Sequence, residues 1–154
     1  MLQRYFYTAG FAVYITLSLM KVVPSHLVES YRFWEVVIQW AQDRLQHEHV
    51  LARVLARGVV RGGLRVQSVD PRWKDVGTFE LRGPLVGYVA REGVLPIFIR
   101  LSALNHLRAV VERAAVPNSQ LLFEEFVTKQ DFEAWLRHEG LGRPGFWFAA
   151  EQEG

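Results

Sequence analysis

The chain contains no cysteine. That excludes disulfides, thiolate nucleophiles, iron–sulfur clusters and cysteine-based zinc sites, and leaves the compartment open. Lysine is scarce: Lys21, Lys74 and Lys129 stand against fifteen arginines. Charge of one sign is lacking too. A net charge of +2 supplies no global field that would draw nucleic acid. Internal repeats and low-complexity tracts are absent. Apolar residues are plentiful, at 50% of the chain, and five Trp, five Tyr and ten Phe can fill a core.

One long uncharged run stands out. Tyr5 to Met20 carries no charge and lies between Arg4 and Lys21. As a helix it reaches about 24 Å at ~1.5 Å per residue, against a bilayer core of roughly 30 Å. With Lys21 reaching to the headgroups through its aliphatic stem, the run predicts an uncleaved single membrane span. Its hydroxyls and small residues fit a helix packed against protein within the membrane. The rival is a buried amphipathic helix. The expected division is a membrane anchor over 1–24, a helical stem over 25–58, and an α+β domain with a C-terminal extension over 59–154. The fold class is thus α+β, with one transmembrane helix, a stem, and a small antiparallel β domain followed by a helix.

Pro24 closes the first helix and Ser25 can cap the next. Leu27, Tyr31, Trp34, Ile38, Ala41 and Leu45 then recur at helical spacing, and Phe33, Val37 and Trp40 widen the stripe. The pattern runs on through Val50, Leu51, Val54 and Leu55 and stops at Gly58, with a break at His47-Glu48-His49. Val59–Val69, Val76–Arg82, Leu85–Arg91 and Val94–Leu101 read as strands, divided by Gly and Pro corners short enough for antiparallel neighbours. Ser102 to Ala115 fits a helix and a strand equally. Thr128 followed by Asp131 marks a helix start, Phe132, Trp135 and Leu136 share one face, and Gly140 marks its end.

No catalytic, cofactor-binding or metal-ligating residue is expected. His47 and His49 are spaced for a strand or loop, and a third ligand such as His106 would have to come from afar. Glu124, Glu125, Asp131 and Glu133 read as surface charge, although an acid meeting an arginine in a cleft would favour an enzyme or ligand-binding domain. Arg53, Arg57, Arg61, Arg65, Arg72 and Lys74 accumulate with no acid between Glu48 and Asp70. Arg53 and Arg57, four apart, share a helix face. This group is the candidate contact for anionic lipid or a partner, beside the plainer reading of a solvated, internally paired face. Phe146, Trp147 and Phe148 cannot all point to one side of a strand. They either dock on a partner or fold back over the domain.

Three segments carry a family resemblance: Phe6 to Val13, Val50 to Gly58, and Leu81 to Val89 around the Gly83-Pro84 corner. Over about residues 5–101 the chain resembles the mitochondrial cytochrome oxidase assembly factor one family, which is related to the translocase-of-inner-membrane subunit twenty-one. That resemblance implies a non-catalytic accessory or assembly subunit of an inner-membrane respiratory complex. It implies no cofactor, a β domain toward the intermembrane space, and partners among the other subunits and membrane lipid. The charge flanking the run places the N-terminus toward the matrix. The alternatives are an α+β enzyme or ligand-binding domain, and an anionic-lipid or nucleic-acid binder using the arginine group.

Overall fold

The computed structural model describes residues 24–68, 84–88 and 97–148. After a 3-10 turn at Ser25–Leu27 the elements are β1 (Ser30–Arg32), α1 (Phe33–Arg44), α2 (Glu48–Arg61), β2 (Leu85–Tyr88), β3 (Ile97–Arg100), α3 (Leu101–Glu112), a second 3-10 turn at Ser119–Leu122, β4 (Phe126–Thr128) and α4 (Lys129–Glu139).

Local chemistry sets most of these boundaries. The Glu35 carboxylate accepts the Arg32 amide at 2.8 Å and starts α1. The His47 ring Nδ1 accepts the His49 amide at 3.0 Å and starts α2. Thr128 Oγ1 accepts the Asp131 amide at 3.0 Å and starts α4. Gly62 (φ 100°) and Gly140 (φ 70°) stop α2 and α4 in the left-handed conformation that a side chain disfavours. Leu45 ends α1 the same way without that freedom.

The strands form two antiparallel pairs. β1 pairs with β4, Tyr31 opposite Val127, and β2 pairs with β3, Val86 opposite Ile99. The backbone at Gln67 and Ser68 stitches the pairs together: Gln67 bridges Phe126, and the Ser68 amide donates to the Phe98 carbonyl at 3.0 Å. One hydrophobic cluster joins all four helices to this frame, with Trp40, Leu55, Leu107, Phe132 and Trp147 within it.

The expected fold is corrected here. Among the described residues no helix is long and apolar enough to cross a membrane. The longest, α2, has 14 residues and carries Glu48, Arg53, Arg57 and Arg61. The run Tyr5 to Met20 lies outside the described residues. α1 and α2 bury their apolar faces in the same cluster as α3 and α4.

Smaller differences have physical causes. The predicted stripe on α1 is rotated: Phe33, Val36, Val37, Trp40 and Ala41 are buried, while Leu27 and Leu45 are exposed. Pairing with β4 holds Ser30–Arg32 extended, so the helix starts later than its periodicity suggests. α2 continues past Gly58, where the helix is expected to stop, and runs on to Arg61. Ser102 to Ala115 is largely helical, with Ala103, Leu104, Leu107 and Val110 buried on one face. The predicted strand Val76–Arg82 lies outside the described residues.

Candidate binding cleft

A cleft of about 840 Å³ opens where α2, α3 and α4 end. The α2 wall is the stripe Val54, Arg57, Gly58 and Arg61, spaced by three and four residues so that all four face one way. The α4 wall carries Trp135, His138 and Glu139, and α3 contributes Val111 and Glu112 from its last turn. Arg57 and Arg61 are exposed and lie one helical turn apart. Neither has an ion-pair partner among the described residues.

Trp135 closes the cleft at its base. Its indole lies against both lining glycines, Gly58 and Gly63. A Cβ at Gly58 would stand 2.8 Å from Trp135 Nε1, and one at Gly63 would stand 2.8 Å from Cδ1 and 3.3 Å from Nε1. Glycine at both positions is what lets α2 and the turn after it approach the ring. Trp135 is 2% exposed, and its Nε1 is buried without an acceptor among the described residues. Leaving such a donor unpaired costs about 1–3 kcal/mol.

A second polar cluster lies in the interior. The Arg100 guanidinium forks onto Glu125, with Nε 2.8 Å from Oε2 and Nη2 3.0 Å from Oε1. Ser68 Oγ donates to Glu125 Oε2 at 2.6 Å and accepts the Arg100 amide at 2.8 Å. Arg100 Nη2 also donates to the Leu121 carbonyl at 3.1 Å. Glu125 is fully buried, and Ser68 and Arg100 nearly so. Hydrogen bonding to Glu125 raises the Arg100 pKa above its ordinary value, so the guanidinium stays charged. An acid and an arginine do converge, then, but in the core, where the hydroxyl of Ser68 is already engaged as donor and as acceptor. The triad ties Ser68, the β3–α3 junction and the chain before β4 into one unit.

The other candidate residues are dispersed. Arg53 is part-buried one turn before Arg57, and Arg65 is exposed beyond the Gly62 cap. Arg72 and Lys74 lie outside the described residues. Trp147 and Phe148 are buried in the core and Phe146 packs against it. Trp147 stacks on Phe132 with centroids 5.4 Å apart, and its Nε1 donates to the Val28 carbonyl at 2.8 Å. The aromatic tail therefore folds back over the domain. His106 Nε2 accepts the Asn118 amide at 2.9 Å, and burial lowers its pKa. Glu133 pairs with Arg143 at 2.9 Å and with Arg137 at 3.5 Å. Among the described residues no three His, Asp or Glu side chains gather as metal ligands would.

Sequence reasoning picked out Arg57 and Arg61 but missed Trp135, Glu112 and Glu139 as their neighbours. Gly58, which reads from the sequence as a stop, lies inside α2 and is the one local sign that something large rests there. Comparisons with protein-family models, curated proteins and solved structures return no match.

Proposed function

We propose that this chain is a non-catalytic accessory or assembly component of a larger protein complex and acts by contact through the α2–α4 cleft. The observation that carries this reading is the placement of Arg57 and Arg61. Two cations sit on a firmly packed helix, exposed in a cleft, with no ion-pair partner among the described residues. By contrast, the charges of Arg100 and Glu125 are consumed by the fold. A respiratory complex is the proposed setting, on the strength of the sequence resemblance.

Co-purification of the tagged full chain from cells tests the reading. Respiratory-complex subunits should accompany the unaltered chain and be lost with Arg57→Glu/Arg61→Glu. The exposed positions should leave the melting temperature unchanged. Equal recovery of the same subunits with the charge-reversed chain would defeat the role given to the cleft. Failure of the unaltered chain to recover any of them would defeat the respiratory setting.

A further inference from the structure

The cleft is not uniformly basic. Arg57 and Arg61 line one side, while Glu112 and Glu139 stand at the ends of α3 and α4. Three helices also turn their C-terminal ends toward it, and each such end carries partial negative charge that favours cations. A polyanion such as a lipid headgroup layer would meet both glutamates and these helix ends. A purely cationic segment would meet both arginines. What satisfies every wall is a ligand bearing both signs.

The cleft volume lies in the range of roughly 300–1,000 Å³ typical of ligand sites, which suits a few side chains and not a folded surface. Val54, Val60, Val111 and Leu141 add apolar lining for the aliphatic stems of such side chains.

We propose that the occupant of this cleft is a peptide segment of mixed charge. Its carboxylate seats between Arg57 and Arg61, and its ammonium or guanidinium group lies against Glu112 and Glu139. Arginine forks suit carboxylates geometrically, and complementary charge fixes the register of the segment. This rests on the reading of the cleft as the recognition face and names what it recognises.

The test uses the isotopically labelled full chain and follows the indole N–H resonance of Trp135, assigned by its disappearance in Trp135→Phe. Four probes are titrated: short synthetic peptides of equal length with alternating Glu and Lys, with Glu alone and with Lys alone, and phosphatidylserine vesicles. The mixed peptide should shift the resonance saturably and bind about ten-fold more tightly than either single-sign peptide. Arg57→Glu/Arg61→Glu and Glu112→Lys/Glu139→Lys should each abolish that preference while the melting temperature holds. Equal or tighter binding of the Glu peptide or the vesicles would overturn the proposal, as would no shift with any probe. If co-purification depends on the arginines while the mixed peptide is not preferred, the contact reading survives and this ligand chemistry falls. If the peptide is preferred while co-purification ignores the arginines, the ligand chemistry stands alone.

Discussion

Trp135 rests its indole on Gly58 so closely that a methyl group there would lie 2.8 Å from Nε1 and from Cε2. Two effects compete in Gly58→Ala. Alanine inside a helix gains about 0.5–1 kcal/mol over glycine, whereas overpacking a core costs about 1–3 kcal/mol. The ring is nearly fully buried and cannot swing aside, so the clash wins. Gly58→Ala should lower stability by about 1–2 kcal/mol in urea unfolding. A gain would show that the ring yields easily.

The Arg100–Glu125 fork is expected to be intolerant of half-removal. Glu125→Ala leaves the guanidinium buried without its partner and should cost about 3–5 kcal/mol. Arg100→Met/Glu125→Leu removes both charges and should cost clearly less than Glu125→Ala. Denaturant midpoints of the three proteins check this. A double variant as unstable as the single one would mean that the fork adds more than charge compensation.

The tail belongs to the core. Trp147 is fully buried and hydrogen-bonded to Val28, so Trp147→Ala should cost about 3–5 kcal/mol. Deleting everything after Gly142 removes Trp147 and Phe148 together and should abolish cooperative unfolding. Circular dichroism melts decide it, and an unchanged melt would show that the tail merely decorates the surface.

His106 supplies a pH dependence of defined sign. Burial lowers its pKa below the ordinary 6.5, and Nε2 accepts the Asn118 amide only when unprotonated. As pH falls below the unfolded value, the unfolded chain binds a proton that the folded chain refuses, so stability is lost. The loss ends once pH passes the lowered folded value. Urea midpoints at about pH 7.5 and about pH 5.5 should differ less in His106→Gln than in the unaltered chain. An equal difference would place the titration elsewhere.

α4 was legible in full because its signals are local. Thr128 with Asp131, the Phe132, Trp135 and Leu136 face, and Gly140 each act within a few residues of one another. β1 was not legible, because Ser30–Arg32 is extended by pairing with Phe126–Thr128, far away in the chain. Ser102 to Ala115 carried two periodicities at once, and burial against the other helices selects the helical one. The end of α2 was misplaced for a related reason: Gly58 reads as a stop locally, but the close seat of Trp135 makes it an interior residue. Arg57 and Arg61 were visible as a basic pair. The acids and the tryptophan beside them come from helices that no spacing rule connects to α2.

The hydrogen bond from Trp147 to Val28 has a consequence for how the molecule is made. It closes a loop across 119 residues, and β1 waits on β4 in the same way. Contacts so distant form late, because the entropy of closing a long loop must be overcome before they stabilise anything. A growing nascent chain holds Tyr31 and Trp40 long before Trp147 and Phe132 exist to cover them. That aromatic surface therefore stays open until Phe132 and Trp147 have been made, and a stop codon before Trp147 would leave it uncovered.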